Sequence, residues 1–63
     1  MAAEEPREVF FEFTVIGAVV KVVAIDAATG TEVSVIGPVS AAQADLAQLA
    51  VGKLKARLAR EAP

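Results

Sequence analysis

Neither cysteine nor histidine occurs among the 63 residues of the chain. Disulfide bonds are therefore excluded, and the usual nitrogen and sulfur ligands of a zinc site are missing. The most common general base and the most common low-pKa nucleophile of enzymes are missing for the same reason. We expect a protein that is not an enzyme, with no catalytic residues, no cofactor and no metal ion.

Aromatic residues and positive charge are also scarce. The chain has no tyrosine or tryptophan. It contains six Lys and Arg residues and eight Asp and Glu residues, which gives a net charge of −2. A sequence pI near 4.9 gives the whole molecule no electrostatic attraction to nucleic acid. The longest apolar run is interrupted at Lys21 and Asp26, well short of the roughly 20 residues of a membrane span.

The amino terminus lacks the basic start and apolar core of a secretory signal. We expect a soluble cytoplasmic protein, and the absence of cysteine suits such a reducing compartment. Residues 1–7 carry charges and Pro6 but no apolar periodicity, which predicts a flexible N-terminal lead-in. The whole chain is 56% apolar, which argues against disorder. Residues 8–63 are expected to form a single small domain. A domain of this size buries only about 60% of its unfolded surface, so dimerisation would enlarge its core.

Three segments have the composition of strands. Residues 8–15 are dominated by phenylalanine, which favours strands, and Gly17 marks a following turn. The second strand covers residues 19–26, and the third ends at Gly37 and Pro38, because proline cannot donate a hydrogen bond within a sheet. The expected core side of the first strand consists of Val9, Phe11, Phe13 and Val15.

The turn between the second and third strands determines their register. A three-residue loop over residues 28–30, with Gly30 in the left-handed conformation, pairs Ile25 with Val33 and Val23 with Val35. These four residues then share one face. The other face carries Val20, Val22, Ala24 and Ile36 with Asp26, Glu32 and Ser34. The sequence does not decide which face meets the helix, and the register of the first hairpin stays open by one residue.

The last third of the chain predicts a helix over residues 41–61, rich in alanine and leucine. Ser40 and Gln43 have the spacing of a capping box at its start. The cations of its last turns suit the negative end of the helix dipole. Its core stripe is expected to contain Leu46, Ala47, Ala50, Val51, Leu54 and Leu58.

Together these elements predict an α+β fold, a three-stranded antiparallel meander followed by one long C-terminal helix. A single helix covers only one face of the sheet, yet both faces are apolar, so we predict a homodimer that buries the second face. The interface candidates are Phe10, Val20, Val22 and Ile36, and in the alternative register they are Val19, Val23 and Ile25.

Charged residues offer two possible sites. Pairing Glu12 with Asp26 or Glu32 would require a cleft that shifts carboxylate pKa values, and so small a sheet offers little cleft. We favour the simpler interpretation, in which Asp26 and Glu32 flank the turn and keep it solvated. Lys21 interrupts the second strand, either as a charge at a sheet edge or as a contact to an anionic ligand.

A basic ridge on the helix is the second possible site. Lys53, Arg57 and Arg60 fall close together beside the leucine stripe and could contact phosphates in a salt-dependent way. A favourable interaction with the negative end of the helix dipole also explains why these cations lie in the last turns of the helix. Weak nucleic-acid binding through this ridge is the alternative to our main hypothesis, a small interaction or accessory module that binds another protein.

Residues 22–33, followed by Gly37 and Pro38 and by a patterned helix, also carry a family resemblance. Over about residues 7–61 the chain resembles a family of short uncharacterised proteobacterial proteins, some labelled serine hydroxymethyltransferase. That enzyme requires a pyridoxal phosphate site with a Schiff-base lysine in a much larger fold, and this chain gives the label no support. The resemblance implies a compact domain of unknown function. The helix residues that carry the resemblance are Leu46, Leu49, Ala50, Lys53 and Leu54.

Overall fold

A computed structural model describes residues 8–61, so the predicted lead-in over residues 1–7 lies outside the described part. The elements are β1 (Val9–Ile16), β2 (Val19–Asp26), β3 (Glu32–Pro38) and α1 (Gln43–Glu61). Each strand pairs antiparallel with its neighbour in sequence, in the order β1-β2-β3. The predicted βββα architecture is confirmed.

The first hairpin closes through a two-residue turn. Gly17 has φ +60°, the positive value that the first central residue of a type II′ turn requires. Ile16 lies opposite Val19 as a result. The register that the sequence left open is therefore fixed, with Phe13 opposite Val22.

The second hairpin has a wider loop than the sequence predicts. The amide of Asp26 donates to the carbonyl of Thr31 at 2.8 Å, and the amide of Gly30 donates to the carbonyl of Asp26 at 2.8 Å. The loop therefore spans residues 27–30. Gly30 has φ +76°, in the left-handed region as predicted. The predicted three-residue loop was wrong because Asp26 pairs with Thr31 and closes a four-residue loop instead.

The extra loop residue shifts the register of β3 by one position. Val33 lies opposite Ala24, and Val35 lies opposite Val22. Because side chains alternate along a strand, a one-residue shift moves every side chain to the other face. Val33 and Val35 therefore share a face with Val22 and Ala24, contrary to the prediction, and Ile36 lies on the opposite face.

Helix α1 packs across β2 and β3 and completes the core. The buried helix residues are Leu46, Ala50 and Leu54, and the other three stripe residues are half-buried, so the predicted stripe is confirmed. Fully burying a leucine side chain contributes about 1.5–3 kcal/mol. The buried strand hydrophobes beneath the helix are Val20, Val22, Ala24 and Val33.

The helix begins two residues later than predicted. The amide of Leu46 donates to the carbonyl of Ala42 at 3.2 Å, which makes Ala42 the N-cap residue. The predicted capping box was wrong, because Ser40 precedes the N-cap by two residues. Ser40 belongs to the tight turn in which the amide of Ala41 donates to the carbonyl of Pro38 at 3.0 Å.

Gly37 allows this first helical turn to approach the sheet closely. A Cβ atom added at Gly37 would lie 2.6 Å from Cδ2 of Leu46. The side chain of Leu46 thus packs directly on the backbone of β3. Any larger residue at position 37 would push α1 away from the sheet.

Candidate functional site

The sheet face turned away from α1 is uncovered within residues 8–61, and we call it the open face. Ile36 is 66% exposed, Ile16 60% and Phe10 53%. The strand register adds polar side chains between these hydrophobes. The apolar members of the open face are Phe10, Ile16, Val19, Val23, Ile25 and Ile36.

The predicted interface residues divide between the two faces of the sheet. Phe10 and Ile36 lie on the open face, as a dimer contact would require. Val20 and Val22 lie beneath α1 and are 2% and 0% exposed. Including them was wrong, because β2 directs its even-numbered residues toward the helix. The alternative set of Val19, Val23 and Ile25 lies on the open face.

Two opposite charges lie on the open face close to its centre. Lys21 pairs with Thr14, and Glu12 pairs with Val23, so Lys21 and Glu12 are diagonal neighbours on adjacent strands. β2 is the central strand, so Lys21 does not lie at a sheet edge, and that part of its interpretation was wrong.

The outer edge of β1 is a second uncovered surface, which we call the β1 edge. The amide of Ala27 donates to the carbonyl of Glu8 at 3.0 Å, so the backbone groups of Glu8 point toward β2. Backbone groups alternate in direction along an antiparallel strand. No other strand of residues 8–61 lies on the outer side. The residues whose backbone groups point outward are Val9, Phe11, Phe13 and Val15.

The side chains of these four residues lie on the helix side of the sheet, yet α1 does not cover them fully. Phe11 is 38% exposed, Phe13 42% and Val15 61%. Between β1 and α1 lies an open groove of about 460 Å³. Its lining is apolar except for one cation and comprises Val9, Phe11, Val51, Leu54, Lys55 and Leu58.

The edge of β3 differs from the β1 edge because it is protected. Nζ of Lys53 donates to the carbonyl oxygen of Ser34 at 2.9 Å. Pro38, which has no N–H group, occupies another outward-pointing position of this strand. Lysine and proline on an edge strand are common devices against pairing with another chain.

The predicted basic ridge is partly engaged within the chain. Lys53 holds the β3 edge, and Nε of Arg57 contacts Oε2 of Glu61 at 2.9 Å in an exposed ion pair. Arg60 is exposed in the last turn of α1. Lys53 and Arg57 thus have structural contacts that the sequence pattern did not reveal.

The carboxylates do not come together as an acid pair. Asp26 is buried on the helix side, whereas Glu12 lies on the open face of another strand. Glu32 shares the open face with Glu12, but β2 separates their strands. The solvating role expected for Asp26 was wrong. Its carboxylate Oδ2 accepts hydrogen bonds from the amide of Thr29 at 3.0 Å and from Oγ1 of Thr29 at 2.7 Å.

Residues 8–61 contain no group of three acidic residues placed to hold a metal ion. In the same part of the chain, no helix combines the length and the apolar character that crossing a bilayer requires. The open face and the β1 edge are the surfaces of the sheet that no other part of residues 8–61 covers.

Comparison with known proteins gives one match. No curated protein and no solved structure matches the chain significantly. A family model for a domain of unknown function, DUF6898, matches residues 6–61, which is nearly the whole chain. The chain therefore belongs to the DUF6898 family.

Proposed function

We propose that this protein is a small, non-enzymatic, homodimeric module that binds another protein, and that two copies meet through the open face. The observation that carries the proposal is the exposure of this apolar face, with Ile36, Ile16 and Phe10 each more than half exposed. Soluble monomers rarely expose contiguous apolar patches beyond a few hundred Å², and larger ones mark interaction sites.

The charges on the open face support a second copy as its occupant. Two stacked sheets lie about 10 Å apart, and a two-fold axis between them relates each residue of one copy to its equivalent. Such an axis can bring Lys21 of each copy to Glu12 of the other, because the two residues are diagonal neighbours. A charge buried at an interface requires a partner of this kind.

The distribution of titratable groups supports a role without catalysis. Glu12 and Asp26 lie on opposite faces of the sheet, so no two acids on β1 and β2 are placed to share a substrate. The cysteine-free composition and the family resemblance support a place in the bacterial cytoplasm. The surface formed jointly by two copies is then the one offered to another protein.

The proposal is tested by the solution mass of the protein, measured by light scattering across a concentration series. Ile36→Glu places a carboxylate opposite Lys21, which keeps the monomer folded, but its burial between two sheets is costly. We expect this variant to have half the mass of the wild type. Leu49→Glu is the matched control, since Leu49 is 62% exposed on α1, and its mass should equal that of the wild type.

Two results would contradict the proposal. One is a wild-type mass near the 6.5 kDa of a single chain at high micromolar concentration. The other is an Ile36→Glu variant that keeps the full wild-type mass, because the open face would then not be the contact.

A further inference from the structure

We propose that β1 is an assembly edge, at which β1 of a second copy pairs antiparallel and extends the sheet from three strands to six. This inference goes beyond the open-face contact, because it uses the outward backbone groups of β1 rather than the side chains of the opposite sheet face. It depends on the proposed function only in that both describe a module built from several copies.

The difference between the two sheet edges is the first argument. Each edge strand presents a row of outward amides and carbonyls, which act as a template for another strand. On β3 this row is interrupted by the Lys53 contact to Ser34 and by Pro38. The row on β1 contains neither lysine nor proline, and it extends from Val9 to Val15. Protection of one edge alone directs strand pairing to the other.

The sequence of β1 is complementary to itself in an antiparallel arrangement. Since the outward groups belong to odd-numbered residues, β1 pairs odd positions with odd positions. A register centred between Phe11 and Phe13 would place two Glu12 side chains directly opposite each other, which is unfavourable. A register centred on Phe13 instead places Glu12 opposite Thr14. The same register places Phe11 opposite Val15 and Phe10 opposite Ile16.

Edge pairing also covers the apolar side chains that α1 leaves exposed. Phe11 and Phe13 of both copies would lie side by side on the helix side, between the two α1 helices. There they close the open side of the groove that Leu54 and Leu58 line. The pairing forms about six backbone hydrogen bonds between copies. A second copy thus satisfies both the backbone and the side chains of this edge.

The edge contact and the open-face contact are geometrically compatible. The two-fold axis of edge pairing is perpendicular to the sheet, whereas the axis of face-to-face stacking is parallel to the sheet. Perpendicular two-fold axes that intersect generate a closed assembly of four copies. We therefore expect two open-face dimers to join through their β1 edges into a wild-type assembly of about 26 kDa, four times the 6.5 kDa of the chain, with the α1 helices outside.

Backbone N-methylation in a chemically synthesised full-length chain tests the edge directly. N-methylation at Phe13 removes an outward amide and blocks strand pairing, but keeps the side chain and the hydrogen bonds to β2. N-methylation at Ile36 is the matched control, because that amide points outward on the protected β3 edge. We expect the Phe13 derivative to have half the unmodified mass and the Ile36 derivative to keep it. Equal masses for the unmodified protein and the two N-methylated derivatives would overturn the inference.

Combining this derivative with the open-face variant separates the two proposals. N-methyl-Phe13 and Ile36→Glu should each halve the mass, and together they should give the 6.5 kDa monomer. If only the edge proposal fails, N-methylation has no effect and Ile36→Glu alone yields the monomer. If only the open-face proposal fails, N-methyl-Phe13 alone yields the monomer.

A single cysteine tests the register, since the chain has none of its own. In the register centred on Phe13, the two Cα atoms of this residue lie about 5.5 Å apart, within the range of a disulfide bond. Phe13→Cys should form a disulfide-linked dimer on mild oxidation. Leu49→Cys on α1 should stay reduced, although Leu49 is 62% exposed and Phe13 only 42%. Cross-linking at equal rates would reject the register.

Discussion

Lys53 of α1 reaches the outer edge of the sheet, where its ammonium Nζ lies 2.9 Å from the carbonyl oxygen of Ser34 and donates a hydrogen bond to it. The contact joins the helix to β3 and occupies a backbone acceptor that another strand would use. Four residues farther along the same helix flank, Arg57 pairs with Glu61, whose Oε1 is 3.4 Å from Oγ1 of Thr31. The helix thus protects the β3 edge, whereas nothing within residues 8–61 protects the β1 edge in the same way.

Replacing Lys53 should therefore open a second assembly edge with little effect on stability. We expect Lys53→Met to change the free energy of unfolding by less than about 1 kcal/mol, because the contact is exposed. The exposed Ser34 carbonyl should then allow larger, concentration-dependent assemblies, measured by light scattering. Lys53→Arg keeps a cation that can donate to the same carbonyl and serves as the control, with an expected mass equal to that of the wild type. A Lys53→Met mass equal to that of the control would contradict this role.

The two helix-associated glycines should respond to alanine in opposite directions. Gly37→Ala places a Cβ atom 2.6 Å from Cδ2 of Leu46, so we expect destabilisation by about 1–3 kcal/mol. Gly52 lies inside α1 with open space around it, and Gly52→Ala should stabilise by up to about 1 kcal/mol. Urea unfolding at one fixed protein concentration measures both, since assembly also contributes to stability. Gly37→Ala as stable as the wild type would mean that Leu46 moves aside freely.

We expect no binding to nucleic acid, although the C-terminal part of α1 is basic. Lys53 and Arg57 already have contacts within the chain, and the net charge is −2. A salt titration with fluorescently labelled mixed-sequence DNA and RNA checks this expectation. Anisotropy should stay unchanged even at low salt. Salt-dependent binding that Arg60→Gln weakens would instead support the basic ridge as the functional site.

The sequence predicts the strands and the helix of this fold better than the register in which the strands pair. Hydrophobic periodicity identifies the helix stripe because Leu46, Ala50 and Leu54 recur at the spacing of one helical face. Both faces of β2 are apolar, so periodicity does not determine which one meets the helix. Which β3 residues share each face of β2 depends on register, and register depends on the length of one loop.

That loop length was mispredicted because local hydrogen bonds to the side chain of Asp26 decide it. The Gly30 signal alone fits either a three-residue or a four-residue loop. The hydrogen bonds from Thr29 to the carboxylate of Asp26 hold the wider form. The spacing of Asp26 and Thr29 before Gly30 was the available signal, since aspartate side chains often accept hydrogen bonds from nearby loop amides. The mispredicted loop length also placed Ile36 on one face with Val20 and Val22, which the observed register puts on opposite faces.

Removing the carboxylate at position 26 should accordingly weaken the fold through this loop. Asp26→Ala removes the acceptor for the amide and the hydroxyl of Thr29, and we expect destabilisation by about 1–3 kcal/mol. Thr29→Val removes the hydroxyl that donates to Asp26 and accepts from the amide of Thr31 at 3.2 Å. It keeps the hydrogen bond from the Thr29 amide to Asp26 and should cost less. Urea unfolding at fixed concentration measures both variants. If Thr29→Val costs as much as Asp26→Ala, the hydroxyl of Thr29 rather than the carboxylate of Asp26 would hold the loop in its wider form.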